Sequence, residues 1–139
     1  MNKQAAIEWL EKAWHHFSSG RFLYEADHYG DVIAIDLHYA IEIMLKAMIA
    51  YENRKMIKTH NLIEIHSHII EKIAFDEEEL ELLDIVSTYH TKASYPPFDR
   101  KMPSKGELKR VIEFADRLYS RVCAILEIDE EDVKRYRMS

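Results

Sequence analysis

The chain has 139 residues, the length of one ordinary domain, and we expect residues 1–139 to form a single domain. Its 47% hydrophobic and 32% charged residues are typical of a globular protein and exclude an intrinsically disordered chain. Three glycines and three prolines are too few for the frequent turns of a β-sandwich or barrel, and a net charge of −6 argues against a general nucleic-acid coat protein.

Cysteine usage and hydropathy indicate where the protein works. The single cysteine, Cys123, cannot form an internal disulfide and lies in an apolar helical stretch, which predicts a core thiol in a reducing compartment. No stretch reaches the roughly 20 apolar residues of a membrane span, since the most apolar run, 41–51, contains Glu42 and Lys46. The first residues carry acids and lack the apolar core of a signal peptide. We therefore expect a cytoplasmic protein that does not contact a membrane.

Apolar residues recur at three- and four-residue intervals over most of the chain, which predicts long amphipathic helices. Gly20 is expected to end the first helix in a left-handed conformation. Asp76 with Glu79, and Ser104 with Glu107, have the spacing of capping boxes and are expected to start two later helices. The predicted helices span residues 3–18, 31–53, 60–73, 76–90 and 104–126, followed by a short helix that ends at Arg137.

These helices predict an all-α fold, an up-and-down antiparallel bundle of four to five main helices plus a short C-terminal helix. Antiparallel packing would bring the turn after the second helix and the proline-containing loop 91–103 to one end of the bundle. That end would collect basic residues, listed as Arg54, Lys55, Lys58, Lys92, Arg100, Lys101 and Lys105. The opposite end would collect acidic ones, including Asp27, Asp31, residues 76–79 and residues 129–132.

A basic end of this kind suits an anionic ligand. Two predicted helices begin there, and the free N–H groups of a helix's first turn favour anions. Phosphate, a nucleotide or an RNA backbone is the expected ligand. The alternative, that cations at loop tips are merely solvated, is equally open at this point.

Eight histidines raise the question of a metal site, but their spacing argues against one. His66 and His68 would point to different sides of a helix. His38 and Glu42 share a face, yet two ligands are too few for a zinc site. We therefore predict neither a bound metal nor another cofactor.

Glu42 and Lys46 have the spacing of an intrahelical ion pair, in apolar surroundings on the second helix. In a structural interpretation the pair closes one edge of the core. In a functional one, Lys46 and His60 bind a phosphate. The sequence contains no glycine-rich phosphate loop, no Ser/Cys–His constellation and no paired carboxylates spaced for acid–base work, so we predict no catalytic residues.

Three short motifs occur in a fixed order along the chain. They are Ala40-Ile-Glu42-Ile-Met-Leu-Lys46-Ala47, then Lys58-Thr59-His60-Asn61-Leu62, then Ser94-Tyr95-Pro96. Together they resemble the HEPN domain, the nucleotide-binding domain shared by higher eukaryotes and prokaryotes. Its pattern is an A-x-E-x-x-x-K-A helix, a T-H-[DN]-L helix start and an R-Y-P loop. The arginine expected before Tyr-Pro is Ser94 here, with Lys92 and Arg100 as candidate substitutes.

The resemblance implies an up-and-down helical bundle, often dimeric, that binds nucleotides or polynucleotides beside a minimal nucleotidyltransferase. The family residues that it carries over are Glu42, Lys46, Thr59, His60, Tyr95 and Pro96. With the nearby cations, the predicted nucleotide- or phosphate-binding residues are Glu42, Lys46, Arg54, Lys58, His60, Lys92, Tyr95 and Arg100. We expect a non-catalytic binding module that forms a homodimer.

Two alternatives stay open. Many HEPN proteins are RNases or toxins of toxin–antitoxin pairs that use an Arg-x(4–6)-His motif near the start of a late helix. Arg21 with His28 and Arg54 with His60 have that spacing, but neither pair lies in the expected late position. The first alternative is therefore a metal-independent RNase with a composite site. The second is a homodimeric interaction protein that binds no ligand.

Overall fold

The computed structural model describes residues 1–96 and 103–133, and within these ranges every regular element is helical. The all-α prediction is confirmed. Arg100, Lys101 and most of the predicted C-terminal helix lie outside the described residues. The elements are α1 (Lys3–Glu25), α2 (Gly30–Tyr51), α3 (Leu62–Ser67), α4 (Glu77–Lys92), α5 (Lys105–Ile125) and a 3₁₀ turn (Glu130–Asp132).

The second helix, α2, is the centre of the bundle. It contacts each of the other four α-helices. Nearly every residue from Ile33 to Ala50 is buried, including charged Glu42 and Lys46. A helix that is apolar all round is the one that a bundle encloses. Polar groups on α2 therefore lie inside the protein, where they need partners.

The first helix ends later than the sequence predicts. Gly20 was expected to end this helix, but α1 continues to Glu25, and Asp27 is the residue with a left-handed φ of 55°. Gly20 is buried, and a Cβ placed on it would lie 3.2 Å from Leu37 Cδ2 on α2. The glycine thus allows two helices to pack closely and does not terminate one.

Contacts at the helix ends define the up-and-down order of the four long helices. The start of α1 meets the ends of α2 and α5, since Asn2 N–H donates to the Tyr51 carbonyl at 2.8 Å and Lys3 Nζ to the Glu127 carbonyl at 3.0 Å. The start of α4 meets the end of α5 through an ion pair of Arg121 with Glu79 at 2.9 Å. Helices α1 and α4 therefore run in one direction, and α2 and α5 run in the other.

The connection between α2 and α4 differs most from the prediction. Helix 60–73 is wrong in extent, because α3 has only six residues. Residues 54–61 have no regular secondary structure and return alongside α2, as the contact of His60 with Glu42 shows. Asn61 caps α3, its side chain accepting from the backbone N–H groups of Ile63 and Glu64. This segment brings His60 to the middle of α2.

The predicted separation of charge along the bundle is wrong for the same reason. Because α3 is short, α4 starts at the end of the bundle where α2 finishes, and α5 starts at the opposite end. Lys105 therefore pairs with Asp27, which was assigned to the acidic end. Arg121 pairs with Glu79 beside the end of α2. Among residues 1–96 and 103–133, acids and bases are therefore mixed at both ends, and the predicted basic end is not formed.

Several local predictions are confirmed. Asp76 and Glu79 form the reciprocal capping box of α4. Ser104 caps α5, although the Glu107 carboxylate accepts a hydrogen bond from Tyr89 and does not complete a second box. Cys123 is buried. Within residues 1–96 and 103–133, no helix combines the length and the apolarity that a membrane crossing requires.

Candidate functional site

Glu42 is the centre of a polar cluster in the middle of α2. It is 4% exposed, and its two carboxylate oxygens accept from different parts of the chain. Lys46 Nζ donates to Oε2 at 2.9 Å, and His60 Nδ1 donates to Oε1 at 2.9 Å. A buried carboxylate is tolerated when it is paired and hydrogen-bonded, and both conditions are met here. The predicted Glu42–Lys46 pair is therefore present, and His60 extends it.

His38 lies one turn before Glu42 on α2 and is fully buried. Its Nε2 donates to the backbone carbonyl of His60 at 3.0 Å, which assigns the proton to Nε2 because a carbonyl only accepts. Its Nδ1 lies 3.6 Å from Glu42 Oε1 and has no hydrogen bond to any described residue. Burial lowers the pKa of His38 to about 4, although the Glu42 charge opposes this shift. His38 is therefore neutral at pH 7.

His60 is the residue that the cluster presents to solvent. Glu42 orients its ring and His38 holds its carbonyl, while Asn61 begins the cap of α3 immediately after it. Because Nδ1 donates to the carboxylate, Nε2 is the remaining nitrogen, and it has no hydrogen bond to a residue that the structure describes. The His60 side chain is 49% exposed. The ring of His60 is thus oriented by Glu42 while about half of the side chain is accessible to solvent.

His90, near the end of α4, stacks on His60. The ring centroids are 4.1 Å apart and the rings are inclined by 15°. Tyr39 on α2 meets both rings edge-on, at 6.3 Å from His60 and 6.0 Å from His90. Burial lowers the pKa of His90, and a positive charge on His60 lowers it further. We refer to Glu42, Lys46, His38, His60 and His90 as the Glu42 cluster.

The Glu42 cluster has a defined chemical capacity. A carboxylate that holds one imidazole nitrogen leaves the other nitrogen set for hydrogen bonding or proton transfer. Imidazoles also become cations near neutral pH, when an anion is close. In the described parts of the chain, no three His, Cys, Asp or Glu residues are grouped so that they could hold a metal ion.

Of the predicted site residues, Glu42, Lys46 and His60 come together. Arg54 follows the end of α2 and donates to the His68 carbonyl at 2.9 Å. Lys58 and Lys92 are exposed. Tyr95 is 79% exposed, and Arg100 lies outside the described residues.

The two Arg–His pairs noted in the sequence are not assembled as pairs either. Arg21 lies over the rings of Trp14 and Phe17, at 5.5 and 5.0 Å from their centroids. His28 contacts the ring of Tyr29 in the turn after α1. The guanidinium of Arg54 is engaged at the His68 carbonyl, away from His60.

His38, Tyr39 and His90 were not among the predicted site residues. For His38 the available signal is its position one turn from Glu42 on the same face of α2, which by itself indicates only a possible pair of metal ligands. For His90 the available signal was its place at the end of α4, just before the Tyr95-Pro96 motif. Neither signal is specific, since the contacts of His38 and His90 with His60 depend on how separate elements pack.

Comparisons with known proteins agree with this fold. The sequence pattern of the HEPN domain matches residues 6–128, a range that contains all three motifs quoted above. The crystal structure of TT1696 from Thermus thermophilus is similar, with a TM-score of 0.74 and 18% identity, over 90% of this chain and 99% of that chain. At this identity the similarity concerns the fold alone. No curated protein matches the chain significantly.

Proposed function

The chain belongs to the HEPN domain family, and from that membership we propose that it is a non-catalytic module that binds a nucleotide or polynucleotide. In this proposal the ligand's phosphate binds at the stacked pair His60 and His90. The module acts as a homodimer, beside a minimal nucleotidyltransferase.

The observation that supports this proposal best is the state of His60. A carboxylate and a backbone contact hold it in place, while half of its side chain faces solvent. Burying a carboxylate costs free energy, so a surface histidine held by a buried acid is unusual. A second imidazole, His90, lies parallel to it at 4.1 Å. Because the Nδ1–H of His60 is directed at Glu42, its Nε2 donates only when the ring is protonated, and a protonated imidazole beside a second ring suits the oxygens of one phosphate group.

The proposal changes the role of Lys46. Its side chain is 8% exposed and its ammonium group is bound to Glu42, so it does not reach a ligand in solvent. Lys46 acts through Glu42, because its ammonium group pairs with the buried carboxylate that also accepts from His60. His60 and His90 are the ligand-contacting groups.

Residues near the ends of the same segments provide further contacts. Lys58 precedes His60 and Lys92 follows His90, each two residues away along the chain. Both are exposed, and their charges attract a polyanion in a salt-dependent way. Tyr95, exposed shortly after the end of α4, offers a ring on which a base can stack.

Isothermal titration of nucleotides and a short RNA at near-physiological salt tests this proposal. We expect binding by the wild type and a dissociation constant at least about tenfold higher for His60→Asn, because a charge-assisted hydrogen bond contributes about 1.5–3 kcal/mol. His28→Asn is the matched control, since His28 is an exposed histidine outside the Glu42 cluster. Equal affinity for the two variants would contradict the proposed site.

The partner and the dimer are tested separately. Light scattering on the purified chain measures its mass in solution, and co-expression with the product of a neighbouring nucleotidyltransferase gene tests for a stable complex. A monomer that forms no complex would contradict this part of the proposal and leave the ligand-binding part in place.

A metal-independent RNase is the second candidate, and one observation favours it. Cleavage at a ribose 2′-hydroxyl needs a general base and a general acid, and His60 with His90 places two imidazoles side by side. A purified sample that cleaves RNA in the presence of a chelator, and loses this activity in His60→Asn and His90→Asn but not in His28→Asn, would establish the enzyme. If no RNA is cleaved, the non-catalytic binding module remains the proposed function.

A further inference from the structure

The balance of charge in the Glu42 cluster points to the kind of ligand that it accepts. We propose that the stacked pair His60 and His90 selects a terminal phosphate, a phosphomonoester, and takes up a proton when it binds this group. This inference rests on the proposed function, and it adds the substrate class and the pH control of the same site.

The described groups that face the stacked pair provide no net positive charge at neutral pH. On α2 these groups are His38, Tyr39, Glu42 and Lys46. Glu42 and Lys46 cancel each other at 2.9 Å, and burial keeps His38 neutral by lowering its pKa to about 4. Among the described residues that face the pair, the positive charge for an anion therefore comes from the two stacked imidazoles themselves.

In the free protein, the surroundings of His60 and His90 disfavour a positive charge on both rings. Burial lowers the pKa of His90, and a positive charge on His60 lowers it further, so the pair does not hold two protons at neutral pH without a ligand. An anion placed against the rings reverses this effect, because an opposite charge favours the protonated imidazole. Binding and proton uptake are thus coupled. Lys58 and Lys92 contribute only a screened background attraction that does not change with pH in this range.

The coupling favours a terminal phosphate over an internal one. A phosphomonoester carries a charge of about −1.5 to −2 at pH 7 and has three acceptor oxygens, whereas a phosphodiester carries a single charge. His60 contributes only Nε2, since Nδ1 is bound to Glu42. The two rings are nearly parallel with their centroids 4.1 Å apart, so a phosphate group that contacts one ring lies within reach of the other. The more highly charged group gains more from the second proton.

The expected pH dependence has a definite sign. Because a bound phosphate opposes the lowering of the His90 pKa by burial, affinity falls as pH rises through the neutral range, approaching about tenfold per pH unit for one linked proton. Below about pH 6 the monoester itself takes up a proton and loses charge. Affinity is therefore highest near pH 6.

Calorimetry with adenosine 5′-monophosphate and the dinucleoside monophosphate ApA tests both parts. Each titration is run at about pH 6 and about pH 8, in two buffers of different ionisation enthalpy. We expect adenosine 5′-monophosphate to bind at least about tenfold more tightly at the lower pH, with an enthalpy that depends on the buffer, and ApA to bind at least about tenfold more weakly at that pH. His90→Asn should reduce the proton uptake, and His28→Asn should not.

The outcomes separate this inference from the proposed function. Binding that is equal at the two pH values, with no effect of the buffer, would overturn the proton coupling and leave the nucleotide-binding site in place. ApA binding as tightly as adenosine 5′-monophosphate would overturn the selectivity for a terminal phosphate. Failure of both compounds to bind at either pH would remove the proposed function as well. Histidine proton resonances of the wild type, followed with pH with and without ligand, give the same test without a substitution.

Discussion

Two ion pairs of the same chemistry lie in opposite environments in this protein. Glu42 and Lys46 are on α2, with 6% and 8% of their side chains exposed. Asp27 and Lys105 join the turn after α1 to the start of α5, with 73% and 69% exposed. The first pair is one turn apart along a helix, whereas the second is far apart in sequence. From contact distance alone, the second would rank as the more important for holding the fold together.

Burial reverses that ranking. An exposed pair is screened by water and salt and contributes little, so the Asp27–Lys105 pair is a consequence of the packing around it. A buried pair cannot lose one member without leaving an isolated charge in the core. The Glu42–Lys46 pair also orients His60 through the second carboxylate oxygen. The environment, and not the pairing itself, decides which acid–base contact matters for stability and for the site.

The largest effect is expected from removing the buried carboxylate. Glu42→Gln leaves the ammonium group of Lys46 in the core without a counter-charge, and breaking such a pair costs about 3–5 kcal/mol. We expect a loss of at least about 3 kcal/mol in the free energy of unfolding, measured by urea denaturation.

A double variant separates the lost attraction from the stranded charge. Glu42→Gln combined with Lys46→Met removes both charges, so it should be more stable than Glu42→Gln alone, by more than about 1 kcal/mol. If the double variant is less stable than the single one, the stranded charge is not the cause of the loss.

The second effect concerns His38, which the same buried environment keeps neutral. Its pKa is moved from 6.5 to about 4 in the folded state. The unfolded chain binds this proton more tightly, so the stability that neutral His38 provides is complete above pH 6.5 and is lost as pH falls toward 4. About 2 kcal/mol of it should be lost by about pH 5.

Urea denaturation at about pH 7.5 and about pH 5 measures this loss. His38→Gln keeps a donor for the His60 carbonyl and does not titrate, so its stability should change less between the two pH values. An equal change in the wild type and the variant would show that other groups cause the acid sensitivity.

How far the sequence predicts the fold depends on the kind of signal. The capping residues Asp76 and Ser104 report local backbone chemistry, and their predicted positions are confirmed. The spacing of apolar residues shows which residues are buried, and does not by itself show that they are helical. Ile69 and Ile73 continue the helical spacing and are buried, yet they follow the end of α3. The predicted helix 60–73 was therefore too long, and the directions of α4 and α5 were predicted wrongly.

In the site, too, local contacts could be predicted from the sequence and contacts between elements could not. The contact of Glu42 with Lys46 lies within one helix, so its spacing in the sequence was enough to predict it. The motif resemblance added His60. The stacking of His90 on His60 joins α4 to residues 54–61, a segment whose path was not predicted, and so no sequence pattern reported it. Contacts within an element are readable from the sequence, whereas contacts between elements require the packing.

The smallest effect is expected at the exposed pair, and it separates two contributions at the start of α5. Ser104 accepts from the backbone N–H of Glu107 at 3.1 Å, and adjacent Lys105 makes the ion pair with Asp27. Ser104→Ala should lower the free energy of unfolding by about 1 kcal/mol, because a helix loses its N-cap. Lys105→Met should produce no resolvable change, because water already screens the pair. Urea denaturation of both variants at low and high salt compares them. A salt-dependent loss in Lys105→Met that equals the loss in Ser104→Ala would contradict the ranking of the two ion pairs, since the exposed pair would then stabilise the fold as strongly as a cap.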